Sequence, residues 1–282
     1  MIKRLSLATW LTLSLFFGCS SINNNYHGDS FEHILPRTSF LFLQRRADAF
    51  ICVNNLCAPV RSQASASGFI IGHSENGSFG ITAEHFCSFN IPEEIQSSVQ
   101  HLKVAYRATT IDGIKYDMHI LRKDIENDIC FFYIDKLIEN PAVVVSPAPP
   151  LPFSRVYNIA AINGIFTPGM VPVFEGFFNG TDSLIRWSFY SIPVEPGSSG
   201  SMLVNWRGEL VGMIHSRHKE TSMIAMGPDY RFLREFIAFS LQDFSEYSPP
   251  VSAKQPLSSI LLDGFCSVYG ELQADPISLP SL

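Results

Sequence analysis

Three short stretches decide how this chain reads: Phe79-Gly-Ile-Thr-Ala-Glu-His85-Phe-Cys87, Glu126-Asn-Asp128-Ile-Cys-Phe-Phe-Tyr133 and Glu195-Pro-Gly197-Ser-Ser199-Gly200-Ser201. In the first, an apolar β-type run delivers a Thr-Ala step and then a His at its end. In the second, an Asp opens a strongly apolar strand. The third is a Gly/Ser turn followed by a strand, a Trp-Arg-Gly turn and another strand. Each has an ordinary explanation when taken alone. His85 could be a hydrogen-bonded core histidine, Asp128 a turn residue, and 197–201 one of the common Gly/Ser loops. A phosphate cradle at that loop is disfavoured, because no Lys-Ser/Thr pair follows and no helical pattern comes next.

The surroundings of these stretches set the fold class. From about Phe40 onward, short apolar runs are broken by Gly, Asn, Pro and Ser, as in Ser67-Gly-Phe-Ile-Ile-Gly72, His101-Leu-Lys-Val-Ala-Tyr106, Val156-Tyr-Asn-Ile-Ala-Ala-Ile162 and Glu209-Leu-Val-Gly-Met-Ile214. Short β-rich runs at this spacing predict an all-β sandwich or a pair of barrels. The Pro-rich stretch Asn140 to Pro152 cannot be a central strand, since Pro removes backbone donors and fixes φ. It reads as the connection between two halves. Leu233, Phe236, Ile237 and Leu241 recur at helical spacing behind a capping Asp229, which predicts a helix over 229–241.

The chain has 282 residues, Lys+Arg 20 against Asp+Glu 26, 46% hydrophobic residues and 23 Phe. That composition excludes a disordered, collagen-like or coiled-coil protein. A net charge of −6 disfavours a protein that binds nucleic acid by neutralising phosphates. At the N-terminus, Lys3 and Arg4 precede an apolar run from Leu5 to Phe17, shorter than the about 20 residues a spanning helix needs. This is the pattern of a signal peptide. The run ends in Gly18-Cys19-Ser20, which resembles a bacterial lipobox, although Phe16 and Phe17 are larger than that motif favours. Residues 1–19 are thus expected to be a signal with Cys19 as the lipidation site, 20–39 a polar tether and 242–282 a Pro/Ser-rich tail. The expected location is the periplasmic or extracellular face, with membrane contact through a lipid anchor. The alternative is an ordinary cleaved signal with Cys19 a plain thiol or disulfide partner.

Six Cys are present, at 19, 52, 57, 87, 130 and 266. Export permits disulfides, and Cys52 and Cys57 are close enough to staple a hairpin. A zinc site at these two lacks further ligands at a recognised spacing. No metal or other cofactor is expected.

In chain order, the three stretches resemble the chymotrypsin-like (trypsin superfamily) serine peptidases, which place His, Asp and Ser in the contexts Thr-Ala-x-His, Asp before an apolar strand, and Gly-x-Ser-Gly. The gaps here are 128 − 85 = 43 and 199 − 128 = 71 residues. The resemblance runs from about Ser65 to Leu241, and the Gly-Ser-Ser-Gly-Ser loop is similar to that of bacterial and viral members. The family differs in favouring Asp or Asn at position 198, Gly at 201 and Pro at 202. The resemblance implies two six-stranded antiparallel β-barrels and a C-terminal helix within a domain 40–241. The first barrel would cover about 40–139, the linker 140–152 and the second barrel about 153–228. It implies a catalytic triad of His85 as base, Asp128 as its orienting partner and Ser199 as nucleophile, with an oxyanion hole from the N–H groups of Gly197 and Ser199.

The substrate would be a polypeptide, cut through an acyl-enzyme. The alternative is a silent relative that binds peptides or a partner protein in the same cleft. The intact triad weighs against it. Only 282 − 241 = 41 residues follow Leu241, so the peptide-binding domain of an envelope quality-control protease is not expected. Pro193, six positions before Ser199, replaces the Asp of trypsin-type enzymes, so a preference for Lys or Arg is not expected. Two readings of Gly212-Met-Ile-His215-Ser-Arg217-His218 stay open. In one, His215 with Arg217 or His218 binds a Glu or Gln side chain, as the His of glutamyl endopeptidases does, though one residue further from Gly212. In the other, His215 packs against the barrel and Arg217 is solvated.

Overall fold

The run Ile129-Cys-Phe-Phe-Tyr-Ile134 is buried along its whole length, and its alternation shows why it is apolar without a break. Successive side chains of a strand point to opposite faces. Ile129, Phe131 and Tyr133 pack into a central layer with Met202, Leu210 and Leu233. Cys130, Phe132 and Ile134 pack on the other face with Leu41, Leu43 and Ile70. A strand buried on both faces has no use for a polar period, and each fully buried Phe contributes about 1.5–3 kcal/mol.

This computed structural model describes residues 35–54 and 56–247. The expected signal segment, Cys19, most of the expected tether and the expected tail beyond residue 247 lie outside them. The first sheet consists of β1 (Phe40–Val53), β2 (Leu56–His73), β3 (Ser78–Thr82), β4 (Val99–Thr110), β5 (Lys115–Asp117), β6 (His119–Asp124) and β7 (Ile129–Ile134). Two one-turn helices, α1 (Glu84–Cys87) and α2 (Glu93–Gln96), lie between β3 and β4. The second sheet consists of β8 (Arg155–Ile159), β9 (Val173–Asp182), β10 (Trp187–Ser191), β11 (Met202–Val204), β12 (Leu210–Met213), β13 (Ser216–Arg217) and β14 (Ile224–Pro228). The spatial orders are β5-β4-β1-β2-β3-β7-β6 and β12-β11-β8-β9-β10-β14-β13, and all strand pairs are antiparallel.

Each sheet therefore has seven strands where six were expected. The short members are the three-residue β5 and the two-residue β13. The first sheet curls back on itself where Met118 N–H donates to the Tyr106 carbonyl of β4 at 3.2 Å. The second has its own core of Val156, Tyr190, Val211 and Ala225. The central layer lies between the two sheets and is continued by α3 (Tyr230–Asp243) through Leu233 and Ile237.

The Asp229 carboxylate accepts from Arg231 N–H at 2.9 Å and caps α3 as expected. α3 runs to Asp243, past the expected tail boundary at residue 242, and beyond it the Phe244 ring packs tilted against Phe131 while Tyr247 meets Tyr133 edge-on. These aromatics cover the outer end of β7. The Pro-rich connection is extended and tacked to both sheets, with Val143 N–H donating to Ile70 O and Ser146 N–H to Leu210 O. Among the described residues there are two disulfides, Cys52–Cys57 and Cys87–Cys130. The first staples the tip of the β1–β2 hairpin. The second joins α1 to β7.

Candidate functional site

His85 is the second residue of α1, a single helical turn that begins where β3 ends. One turn cannot hold itself together in water, because nucleation fixes several residues for one hydrogen bond. Neighbouring groups hold it here. Glu84 N–H donates to the Asp128 carbonyl at 3.2 Å, and the Cys87–Cys130 disulfide ties the end of the turn to the strand that Asp128 opens. Each cysteine stands two residues after its triad candidate. Lys123 on β6 donates to Ser88 Oγ at 2.9 Å, and Ser88 Oγ donates to the buried Glu84 carboxylate.

Asp128 sits at φ +53°, a left-handed conformation that Asp tolerates better than most residues. Its two oxygens divide their work. Oδ1 accepts the His85 backbone N–H at 2.8 Å, and Oδ2 lies 2.8 Å from His85 Nδ1. A carboxylate only accepts, so Nδ1 carries the proton and the Nε2 lone pair faces outward. The Ser199 hydroxyl lies 3.0 Å from that Nε2. Residues 114 apart in sequence thus meet at hydrogen-bond distance.

The Ser199 loop is shaped by two glycines with positive φ. Gly197 (φ +94°) packs so tightly that a Cβ there would stand 2.3 Å from the Ala161 carbonyl. At Gly200 (φ +79°) a Cβ would meet Thr82 Oγ1 at 2.2 Å and Ser67 O at 2.3 Å. The second contact shows how closely the loop lies on the first sheet. Within the loop, Ser198 N–H donates to Glu195 O, Gly200 N–H to Ile214 O and Ser201 N–H to Ser198 O. Among the described residues, the N–H groups of Gly197 and Ser199 have no backbone acceptor.

Ser67 clamps the two sheets together. Its hydroxyl donates to Gly197 O at 2.8 Å and accepts Ala161 N–H at 3.0 Å, while its own N–H donates to Ser199 O at 2.9 Å. Thr82 Oγ1 donates to Ser67 O at 2.8 Å. Ser67 and Thr82 lie in the stretches singled out by sequence, yet nothing local distinguishes their hydroxyls from those of other strand residues.

Of the two readings left open for His215, the geometry favours packing against the barrel. Its ring is 5% exposed, stands edge-on to Trp187 at 5.1 Å, and points Nδ1 at Asp128 Oδ2 from 3.6 Å. His215 lies in the two-residue step between β12 and β13, outside either strand, where its N–H donates to Met226 O at 3.0 Å. The ring backs the Asp128 carboxylate. Burial pushes its pKa down to about 4, against the opposing pull of Asp128. The contact with Asp128 is therefore one of a neutral imidazole at pH 7, and no ion pair forms there. Arg217 is half exposed and pairs with Glu195 at 3.5 Å, so it is not a free cation. Pro193 lies on the segment leading to the loop, between the buried Ile192 and Val194. Among the described residues, no cluster of three or more His, Cys, Asp and Glu could hold a metal ion, and no helix is long and apolar enough to cross a membrane.

Two antiparallel sheets with Ser, His and Asp side chains converging between them define the class of serine-type peptidases. A family model for the trypsin-like peptidase domain matches residues 66–213, a span that includes His85, Asp128 and Ser199. The chain belongs to that family. Among solved structures, it is similar in fold to the serine endoprotease from Yersinia pestis, with a TM-score of 0.54 and 15% sequence identity. That match covers 76% of this chain and 66% of the other. Among curated proteins, none matches the chain.

Proposed function

We propose that the chain is an exported serine endopeptidase that cuts polypeptides through an acyl-enzyme. The observation that carries this reading is the relay in which His85 lies 2.8 Å from Asp128 on one side and 3.0 Å from Ser199 on the other. His85 takes the Ser199 proton as Oγ bonds to the scissile carbonyl carbon. The negative charge that develops on the carbonyl oxygen is received by the N–H groups of Gly197 and Ser199. His85 then gives its proton to the amide nitrogen, the C–N bond breaks and the amine leaves. Water, deprotonated by His85, adds to the acyl-Ser199 ester. Collapse of that adduct releases the acid and returns the proton to Ser199. Asp128 holds the imidazole tautomer and faces the imidazolium formed in each half.

Labelling with a fluorophosphonate probe, parent against Ser199→Ala, tests the reading. Label should appear on the parent alone. A parent that takes no label would favour a peptide-binding relative.

Export and lipidation at Cys19 belong to the same proposal, on the strength of the apolar run and the Gly18-Cys19-Ser20 junction. Mass spectrometry of the N-terminal peptide from membrane-associated protein should find a diacylglyceryl-modified Cys19. An unmodified amine starting elsewhere would refute the anchor. At the substrate side, Pro193 and the Glu195-neutralised Arg217 argue against selection of a single charge.

A further inference from the structure

We infer that Arg45 and Tyr106, neighbours on adjacent strands of the first sheet, are positioning residues for His85. The inference rests on the peptidase reading above and names groups that reading does not use.

Every helix leaves unpaired carbonyls at its C-terminus. In α1, the Glu84 carbonyl is taken by Ser88 N–H. The next four carbonyls, of residues 85 to 88, project past the end of the turn. Three of them are gathered by one guanidinium nitrogen: Arg45 Nη1 donates to His85 O at 3.3 Å, to Phe86 O at 2.8 Å, and to Ser88 O. The fourth, Cys87 O, accepts the Tyr106 hydroxyl at 2.7 Å. Two side chains therefore satisfy every carbonyl from the base to the end of its turn.

Their origin gives the arrangement its rigidity. Arg45 on β1 and Tyr106 on β4 are register partners. The guanidinium also lies over the Phe86 and Phe89 rings, at 5.8 and 5.4 Å, and the Tyr106 ring meets Phe86 edge-on. A cation at a helix C-terminus is favourable in itself. The rigid plane of the guanidinium also fixes the direction of the two Nη1 N–H bonds shared among these carbonyls, which a freely rotating Lys ammonium does less well. The groups on the other side of α1, Asp128 and the disulfide, set how far His85 stands from its partner strand. Arg45 and Tyr106 set the tilt of the turn, and so the direction in which Nε2 meets Ser199.

The test compares Arg45→Met, Arg45→Lys and Tyr106→Phe with the parent and with Ser199→Ala. Fluorophosphonate labelling is followed to saturation, so that the maximal labelling rate separates from the probe's apparent affinity. Thermal midpoints and the folded fraction are measured alongside. Arg45→Met keeps the apolar stem and should lower the maximal rate about 10- to 100-fold, the scale of a 1 Å misplacement, with affinity within about twofold. Arg45→Lys should recover part of that loss. Tyr106→Phe removes one hydroxyl and should cost about fivefold, the equivalent of one ordinary hydrogen bond.

A maximal rate per folded molecule equal to the parent's in both Arg45→Met and Tyr106→Phe would overturn the inference and leave only a structural role. A loss confined to probe affinity would overturn it too. Failure of the peptidase reading looks different: the parent itself takes no label, or Ser199→Ala labels as well as the parent does.

Discussion

Gly197→Ala probes the oxyanion geometry without touching a triad side chain. At φ +94° the added methyl would stand 2.3 Å from the Ala161 carbonyl, with Asn163 N and Gly164 N each 3.3 Å away. A carbon and a carbonyl oxygen settle above 3 Å, so the loop or the 161–164 segment must retreat by about 1 Å. Backbone on both sides leaves no flexible side chain to absorb the shift. Two costs follow. Positive φ on a residue with a Cβ destabilises by about 1–2 kcal/mol. The Gly197 N–H moves with the loop, and losing one such donor costs about 10²–10³ in turnover, or about 2.7–4 kcal/mol. The assay is saturating fluorophosphonate labelling of Ser199, with the thermal midpoint measured on the same sample. The expected result is a labelling rate about 100-fold or more below the parent in a protein that is mostly folded at 25 °C. A folded Gly197→Ala that labels within twofold of the parent would show that this N–H does not serve the developing anion.

Asp128→Asn should lower turnover about 10⁴-fold in peptide hydrolysis, since an amide can no longer demand the right tautomer of His85; activity within tenfold of the parent would remove Asp128 from the relay. Ser201→Ala should leave labelling and stability nearly unchanged, because the Ser201 hydroxyl is buried with no hydrogen-bond partner and a methyl loses nothing there; loss of label in that variant would transfer the nucleophile's role to it. Replacing Cys87 and Cys130 together by Ser opens a loop with sequence separation 43 and should cost about 4 kcal/mol in urea unfolding under the chain-entropy account; an unchanged midpoint would contradict it. His215 is held neutral by burial, its pKa down to about 4 from 6.5. The folded state then binds fewer protons than the unfolded chain between those values. The contribution is fully present above about pH 6.5 and is lost as pH falls towards 4, about 3 kcal/mol in all. Urea midpoints at pH 7 and pH 4 measure it, and His215→Phe should show a correspondingly smaller fall; equal falls in parent and variant would refute the assignment.

What could be read from residue order alone is whatever is coded by local pattern. The β-rich runs and the Pro-broken connection depend on side-chain period and on φ, which neighbouring residues set among themselves. The helix behind Asp229 follows from spacing and a cap. The triad candidates could be picked out because a strand-end His, an Asp before an apolar strand and a glycine-bracketed Ser are each local signatures. Their meeting is not local. His85 and Ser199 come within 3.0 Å only because two sheets pack face to face, with Ser67 bonding across the join and Thr82 bonding to Ser67 behind it. The same holds for Cys87 with Cys130, whose pairing is set by how α1 lies on β7. Phe244 and Tyr247 read as the start of a tail until β7 supplies the rings they pack against.

His215 marks the limit most clearly. Residue order left contact with substrate and packing against the barrel both open, and the burial of the ring between Trp187 and Asp128 exists only in the tertiary structure. Arg45 and Tyr106 gave no signal at all in sequence, being an ordinary arginine and tyrosine on two strands more than 60 residues apart. Their relation to His85 exists only once β1 and β4 are side by side. Local chemistry can nominate reacting groups, but the direction in which each one points comes from contacts between segments that the chain order keeps far apart.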